Sequence, residues 1–336
     1  MKVYEVEKGA TSLDGLRPAE RPDPQPGPHQ VLIRVRATSL NYRDQMVVTG
    51  NYFGGPVTRN LIPLSDGAGE VAGVGPGVTR FKTGDRVIGT FFQSWISGPM
   101  TERHPALGSP LDGTLAEYIV LHEDGVVPKP NTISFEQAAT LPCAAVTAWN
   151  ALMVSGKPVK PGDTVLCLGT GGVSMAGLLL AKAAGARVII TSSSDDKIQR
   201  ACTLGASDGI NYKRYPEWQK EVMELTNGRG VDHILENGGA GSLNKSFESA
   251  AFAGKVALIG FLAGGGDINP AILMMKSGAM IGIGVGSRAM FEDMNRAIEV
   301  NKIKPVVDKV FPFAKAADAF RCQASGDFIG KVVITI

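Results

Sequence analysis

The stretch Thr164-Val-Leu-Cys-Leu-Gly-Thr-Gly-Gly-Val-Ser174 decides the fold of this chain. After Thr164 the run is entirely apolar up to the first glycine, which is typical of a strand buried on both faces of a parallel sheet. Glycines at 169 and 171 permit a tight turn, and residues 173–184 predict an apolar helix that ends at Gly185. A strand, a glycine turn and a helix in this order predict a binding site for the pyrophosphate of a dinucleotide.

Strands and helices continue to alternate on the carboxyl-terminal side of this turn. Further buried strands are predicted at 187–191, 231–235 and 255–259, with a helix at 195–204. This βαβαβ order indicates a doubly wound parallel sheet of the Rossmann type, so the fold class is α/β.

The amino-terminal third has a different pattern. Short alternating or glycine-rich runs at 31–37, 69–78 and 113–121 predict strands joined by Gly and Pro turns, and therefore a barrel-like β domain. The apolar segment 331–336 needs a sheet to join, and we expect it to return to this domain. The predicted division is a discontinuous domain of residues 1–143 and 287–336 and a dinucleotide-binding domain of residues 144–286.

Composition excludes several classes of function. The 336 residues carry a net charge of +2 and are 44% hydrophobic and 20% charged, which is typical of a soluble globular protein and gives no electrostatic argument for nucleic-acid binding. No apolar run is long enough to cross a membrane, and the amino terminus does not resemble a signal peptide, so we expect a cytoplasmic protein. The four cysteines and four histidines show no metal-ligand spacing.

The segment after the second strand of the alternating region predicts which dinucleotide is bound. It reads Thr191-Ser-Ser-Ser-Asp-Asp-Lys197, with neutral Ser192 near the position where an acidic residue would bind the ribose of NAD. Hydroxyl groups and Lys197 suit a 2′-phosphate, while Asp195 and Asp196 fall in the first turn of the next helix, where the helix dipole accounts for them. The segment favours NADP(H) over NAD(H).

Several motifs together resemble the medium-chain dehydrogenase/reductase superfamily over nearly the whole chain. Besides the 169–174 turn, they are Ala37-Thr-Ser-Leu-Asn-Tyr-Arg-Asp44, Gly67-Ala-Gly-Glu-Val-Ala-Gly-Val-Gly75, Phe81-Lys-Thr-Gly-Asp-Arg-Val87, Leu141-Pro-Cys-Ala-Ala-Val-Thr-Ala-Trp149 and Gly330-Lys-Val-Val333. The resemblance implies a GroES-like β domain, a Rossmann domain, and a cleft that holds nicotinamide and substrate.

The resemblance also bears on metal binding. The zinc alcohol dehydrogenases of this superfamily hold a catalytic zinc with Cys, His and Cys or Asp, and matching the motifs places Asn41, Ser65 and Cys143 at those positions. Only one of these is a good zinc ligand, so we expect no metal. The segment that carries four structural zinc ligands in those enzymes matches residues 93–112, which contain no cysteine.

The zinc-free branches of the superfamily are more similar. Ser39-Leu-Asn-Tyr-Arg-Asp44 followed by Gly50-Asn-Tyr52 resembles quinone oxidoreductases and enoyl reductases, which implies Asn41 and Tyr52 as catalytic residues. Asn41 could donate to a developing enolate oxygen, and Tyr52 could donate a hydrogen bond or a proton. A turn-forming role for Asn41 and an exposed loop position for Tyr52 remain the structural alternatives.

Other cofactor-binding residues follow from the same motif match. The pyrophosphate would lie on the turn that includes Gly169, Gly171, Gly172 and Ser174, and Thr147 and Val173 would press on the nicotinamide. The 2′-phosphate would be surrounded by Ser192, Lys197 and Tyr212, and the carboxamide pocket would be lined by Gly260, Phe261 and Leu262. The floor of the cleft would be closed by Gly286, Ser287 and Arg288. Arg288 has a second interpretation as a surface arginine at a domain boundary. The loop 91–112 would flank the substrate entrance or form a surface flap or subunit contact. The resemblance also implies a homodimer that pairs through the apolar segment 279–285.

Three functions remain open at this point. The first is a zinc-independent, NADPH-dependent reductase of quinones or α,β-unsaturated carbonyls. The second is an alcohol dehydrogenase or ketone reductase, and the third is an NADPH-binding protein without turnover.

Overall fold

Strands dominate the amino-terminal part of the chain, whereas strands and helices alternate from residue 164 onward. The computed structural model describes residues 1–336 and divides them into two units, Met1–Val146 with Gly286–Ile336 (unit 1) and Thr147–Val285 (unit 2). The structural divisions fall at 146/147 and 285/286, and the boundaries predicted from the sequence are 143/144 and 286/287. No helix in the chain combines the length and the apolar character that crossing a membrane requires.

The strands, in chain order, are β1 (Lys2–Val6), β2 (Leu16–Glu20), β3 (Gln30–Ser39), β4 (Asp66–Val74), β5 (Arg86–Gly89), β6 (Tyr118–His122), β7 (Val126–Pro128), β8 (Thr164–Cys167), β9 (Arg187–Ser192), β10 (Asp208–Asn211), β11 (Val231–Glu236), β12 (Ala250–Leu258), β13 (Ala279–Gly282), β14 (Val307–Pro312) and β15 (Lys331–Thr335). The α-helices are α1 (Tyr42–Val48), α2 (Phe135–Ala138), α3 (Val146–Trp149), α4 (Gly172–Ala183), α5 (Asp195–Leu204), α6 (Trp218–Leu225), α7 (Ala240–Ser249), α8 (Ala271–Met275), α9 (Arg288–Asn301) and α10 (Ala316–Ser325). Wider π-type turns, Leu141–Ala145 and Asn150–Val154, flank α3.

Unit 1 is built on a seven-stranded sheet with the order β14-β15-β3-β4-β5-β7, in which β6 also pairs with β3. All pairs are antiparallel except β14 with β15. The carboxyl-terminal strand β15 pairs with β3, as Val333 opposite Ser39 shows, so the end of the chain does return to the first sheet. The apolar residues of β15 are buried there, which explains why the segment is apolar.

Unit 2 is a six-stranded, entirely parallel sheet with the order β10-β9-β8-β11-β12-β13. Every residue of β8 and β11 is buried, as the apolar run after Thr164 predicts for β8. The sheet has two halves, β8-β9-β10 and β11-β12-β13, and the order of the strands reverses between the neighbouring strands β8 and β11. Ligands bind at the carboxyl edge of a doubly wound sheet at this reversal, and the 169–174 turn leaves β8 there. The predicted α/β class with a GroES-like and a Rossmann-type sheet is confirmed.

The edge strand β13 is shorter than the predicted segment 279–285. Val285 has φ +58°, a left-handed conformation that a strand cannot contain and that a β-branched residue rarely adopts. The Asn150 amide Nδ2 donates to the Val285 carbonyl oxygen at 2.7 Å and so helps to hold this strained backbone. The strand therefore ends at Gly282, and residues 283–285 form an irregular connection.

Candidate functional site

The glycine turn of unit 2 leaves space for a ligand. Gly169 has φ +78°, which favours glycine, and its amide N–H donates to Thr191 Oγ1 at 3.0 Å. A Cβ atom added at Gly169 or Gly171 would meet no atom within 4 Å. The first helical bond of α4 runs from Met175 N–H to the Gly171 carbonyl, so the N–H groups of residues 172–174 precede it at the positive end of the helix. This arrangement suits a phosphate group.

The close approach of α4 to the sheet occurs at Gly177 and not at the third position of the glycine motif. A Cβ at Gly177 would lie 2.3 Å from Leu235 Cδ1, so a larger residue there would force the buried Leu235 side chain to move. Ser174 occupies the motif position and is buried, and its hydroxyl donates to the Leu168 carbonyl at 2.7 Å. Asn237 Nδ2 in turn donates to Ser174 Oγ at 3.0 Å. The hydroxyl is thus satisfied, which explains how serine replaces glycine at this position.

Most predicted cofactor residues of unit 2 lie at the carboxyl edge of its sheet. Ser192 ends β9, and the Tyr212 amide donates to the Ser192 carbonyl beyond the end of β10. Gly260 follows β12, and its amide donates to the Glu236 carbonyl at the end of β11. Phe261 and Leu262 follow it with more than half of their surface exposed. Thr147 does not follow any of these strands, because it is buried in α3, which precedes them in the chain.

The segment predicted to recognise a 2′-phosphate contains two serine hydroxyls used as acceptors. Ser192 Oγ accepts from Ser194 N–H at 3.3 Å, and Ser194 Oγ accepts from Lys197 N–H at 3.4 Å at the start of α5. An accepting hydroxyl keeps its own hydrogen as a donor for an anion. The Asp195 carboxylate is held by Arg214 at 2.7 Å and by Asn211 at 2.8 Å. Its charge is therefore balanced within unit 2.

The last three predicted cofactor residues belong to unit 1. Ser287 caps α9 by accepting from Met290 N–H, and Gly286 precedes it. Arg288 donates to the Asp124 carboxylate at 2.6 Å and lies 3.6 Å from Glu292. The guanidinium is thus engaged by two carboxylates of unit 1, and its side chain is mostly buried.

A buried ring of polar side chains lies in unit 1 where β3, β4 and β15 meet. Lys331 Nζ lies 2.5 Å from Asn41 Oδ1, and Asn41 Nδ2 donates to Ser65 Oγ at 3.3 Å. Ser65 Oγ donates to Asp66 Oδ1 at 2.7 Å, and Asp66 Oδ2 lies 3.8 Å from Lys331 Nζ. All four side chains are at least 90% buried. The ring therefore connects the predicted catalytic residue Asn41 to an ion pair.

Cys143 lies beside this ring. Its backbone N–H points to Asp66 Oδ2 at 3.3 Å. Burial raises the pKa of the Cys143 thiol far above its ordinary value, and the Asp66 carboxylate raises it further. The protonated thiol is therefore the stable form at neutral pH in the chain without a metal ion.

Asp44 orders the backbone at the start of α1. Asp44 Oδ2 accepts from Asn41 N–H at 2.7 Å, and complete burial raises the pKa of this carboxyl to about 6. The bond fixes the backbone of Asn41 while the Asn41 side chain is directed to Ser65 and Lys331. Asn41 thus begins a helix, as its turn-forming interpretation expects, and its side chain is also held in the polar ring.

Tyr52, the second predicted catalytic residue, follows α1 and is half-buried. The Arg43 guanidinium lies 4.7 Å from the Tyr52 ring centroid and 5.0 Å from that of Phe91. Arg43 also donates to the carbonyls of Leu107 and Ser109 at 2.8 and 3.0 Å. Arg43 therefore contacts Tyr52 and residues near both ends of the 91–112 loop. The loop itself contains no helix or strand.

Three residues of these sites were not predicted from the sequence. Lys331, Gly177 and Asn237 act through contacts with distant parts of the chain. Of these residues, only Lys331 could have been noticed in the sequence, because it is a charged residue at the start of a mostly apolar strand. The structure contains no group of three or more His, Cys, Asp or Glu side chains arranged to hold a metal ion.

Comparisons with known proteins agree with this architecture. Residues 27–131 match the alcohol dehydrogenase GroES-like domain family, and residues 172–300 match the family described as zinc-binding dehydrogenase. The chain is 44% identical to a zinc-type alcohol dehydrogenase-like protein of Schizosaccharomyces pombe, over 99% of each chain. It is 32% identical to a quinone oxidoreductase of Mus musculus, over 93% of this chain and 91% of the relative.

A solved structure described as an NAD-dependent alcohol dehydrogenase superimposes on the chain with a TM-score of 0.92. The two share 35% sequence identity and cover each other completely. The relatives thus include proteins named for alcohols and for quinones.

Proposed function

This chain belongs to the medium-chain dehydrogenase/reductase superfamily of oxidoreductases, and from that premise we propose that it transfers hydride from NADPH to a quinone or an α,β-unsaturated carbonyl without a zinc ion. The observation that carries the proposal is the polar ring of Asn41, Ser65, Asp66 and Lys331. It places an amide donor where the zinc enzymes of the resemblance have a metal ligand.

The residues at these positions do not fit a zinc ion. Zinc needs three or four donors of the thiolate, imidazole or carboxylate type, and an amide, a hydroxyl and a buried thiol stand at 41, 65 and 143. Asp66 is the only carboxylate in the polar ring, and it already faces the Lys331 ammonium. No step of the proposed reaction therefore uses a metal.

The glycine turn fits the cofactor. Open space in front of Gly169 and Gly171 accommodates a pyrophosphate, and the amides of residues 172–174 would donate to it. When bound, NADPH supplies the hydride. The preference for NADPH is supported by neutral Ser192, by Lys197, and by the pairing of Asp195 with Arg214.

In unit 1, Asn41 would stabilise the product of hydride addition. Addition to the β-carbon of an enone places negative charge on the carbonyl oxygen, and the second Nδ2 hydrogen of Asn41 would donate to it. Tyr52 or water would then supply the proton that completes the reduction. The Arg43 cation beside Tyr52 and the aromatic Phe91 would shape the same region of unit 1.

A second candidate, an alcohol dehydrogenase or ketone reductase, is favoured by the NAD-dependent alcohol dehydrogenase with 35% identity. One experiment separates the two. Oxidation of NADPH and of NADH is followed with quinones, 2-alkenals and ketones, and zinc is quantified in the same preparation. The proposal expects turnover of quinones or 2-alkenals with NADPH, little turnover of ketones, and no loss of activity with a chelator. Stoichiometric zinc together with ketone reduction would support the second candidate instead.

A further inference from the structure

The strongest unexplained feature of unit 1 is the buried lysine in the polar ring. Lys331 is 5% exposed and stands at the start of β15, whose other residues are apolar or end the strand. Its Nζ lies 2.5 Å from the Leu40 carbonyl and 2.5 Å from Asn41 Oδ1. A buried ammonium is costly unless it is paired, and this one is paired with Asp66 at 3.8 Å.

We propose that Lys331 is a positioning residue whose ammonium fixes and polarises the Asn41 amide, so that a cation belonging to the chain itself strengthens the donor that meets the substrate oxygen. The inference deepens the proposed function, because it rests on Asn41 as that donor. It adds a residue 290 positions away in the sequence.

Donor and acceptor chemistry fixes the orientation of the amide. Lysine can only donate, so the atom of Asn41 that faces it must be the carbonyl oxygen. Ser65 Oγ gives its hydrogen to Asp66, and so it must accept from Asn41 Nδ2. Every hydrogen bond of the ring therefore runs in one direction, from Lys331 through Asn41 and Ser65 to Asp66.

Asn41 Nδ2 carries two hydrogens, and the ring uses only the one that is donated to Ser65. The second hydrogen of Nδ2 therefore takes no part in the ring. A cation at the carbonyl oxygen withdraws electron density from the amide nitrogen, and hydrogen bonds in such a chain strengthen one another. The remaining N–H is therefore a stronger donor than the same group without Lys331. Removal of the ammonium should lower the rate of the chemical step and leave cofactor binding unchanged.

The test is a double-mutant cycle with Lys331→Met and Asn41→Ala in the full chain. The measured quantities are kcat and KM with a 2-alkenal or quinone, the Kd of NADPH, and the midpoint of thermal unfolding. Loss of an oxyanion donor costs about 100-fold in kcat, so we expect about 100-fold for Asn41→Ala and about 10-fold for Lys331→Met. The double variant should be no slower than Asn41→Ala, because Lys331 acts through that amide.

The matched control is Lys309→Met on the neighbouring strand β14, where Lys309 is exposed and lies 4.0 Å from Asp327. This variant should keep the wild-type kcat. If the effects of Lys331→Met and Asn41→Ala multiply, or if Lys331→Met keeps the wild-type kcat, the inference is wrong while the proposed function stands. If Lys331→Met does not fold, the test uses Lys331→Gln, because glutamine removes the positive charge and keeps an N–H donor.

A binding measurement separates the inference from the choice of substrate. The probe is 4-nitrophenolate, an oxyanion whose absorption changes on binding, titrated into the enzyme with NADP⁺. We expect about 10-fold weaker binding to Lys331→Met and to Asn41→Ala. Binding that depends on both residues, in an enzyme that reduces neither quinones nor 2-alkenals, would support the inference and overturn the proposed acceptor. Binding that is equal in all variants would overturn the inference.

Discussion

Gly171 offers a sharp test of the glycine turn, because its replacement should affect the ligand and not the fold. Gly171 has φ −76° and ψ −175°, an extended conformation that alanine adopts without strain. A Cβ atom there would meet nothing within 4 Å. We therefore expect Gly171→Ala to change the free energy of unfolding by less than about 0.5 kcal/mol.

The expected effect on NADPH is much larger. The new methyl group would stand in front of the amides of residues 172–174, where a pyrophosphate has to approach closely. A hydrogen bond to a charged group contributes about 1.5–3 kcal/mol, so the loss of one such bond weakens binding about 10- to 100-fold. This loss would appear in the Kd of NADPH and NADH alike.

Gly177→Ala is the matched control, six residues along the same segment. Its Cβ would lie 2.3 Å from Leu235 Cδ1 and 3.6 Å from Cys167 Sγ, inside the sheet–helix interface. Overpacking of this kind costs about 1–3 kcal/mol of stability. We expect a lower midpoint of thermal unfolding and a Kd for NADPH close to that of the wild type.

The assay is titration of NADPH fluorescence combined with thermal unfolding of each apo variant. We expect Gly171→Ala to weaken NADPH binding without a change in stability, and Gly177→Ala to lower stability without a change in NADPH binding. A wild-type Kd for Gly171→Ala would refute the assignment of the turn to the pyrophosphate. A fall in thermal stability as large as that of Gly177→Ala would refute the claim that the space in front of Gly171 is open.

Three further predictions address the cofactor, the pH dependence and the assembly. Lys197→Ala should weaken NADPH binding about 10-fold and leave NADH binding unchanged, as measured by fluorescence titration, because only NADPH carries the 2′-phosphate. Burial raises the pKa of Asp44 from its ordinary 3.8 to about 6, so the folded chain binds this proton more tightly than the unfolded chain does. As the pH rises from 4 to 6, the wild type should therefore lose about 2 kcal/mol of unfolding free energy relative to Asp44→Asn in urea denaturation, and an equal pH dependence of the two proteins would contradict this. Met280 is 46% exposed on the edge strand β13, and Met280→Lys should convert the expected homodimer to a monomer in sedimentation velocity.

The parts of the fold that depend on local pattern could be predicted from the sequence. The apolar run 165–168, the glycines that follow it and the helix start are neighbours in the chain, so their order alone indicates a parallel sheet with a phosphate-binding turn. The return of the final strand followed from its apolar character, because such a strand is stable only inside a sheet. In contrast, β13 ends early, at Gly282, and no residue pattern predicts the left-handed backbone of Val285 that follows it.

The candidate sites could be predicted only in part, because several of their contacts join distant residues. Asn41 stood out by comparison with a zinc ligand position, but its partner Lys331 arrives from the opposite end of the chain. The role of Gly177 depends on Leu235 in another strand, and three-dimensional packing alone reveals it. Arg288 was predicted at the cofactor, and its pairing with Asp124 depends equally on a distant loop.

The ammonium of Lys331 also determines what else this part of the protein can accommodate. A divalent cation about 4 Å from a fixed positive charge is repelled by about 8 kcal/mol at the effective dielectric constant of a protein site. Introducing cysteine at 41 and histidine at 65 would leave this charge opposing a zinc ion, so Lys331→Met should accompany those changes in a chain built to hold a metal. Residue 41 near one end of the chain and residue 331 near the other together decide which charge this part of unit 1 can accept.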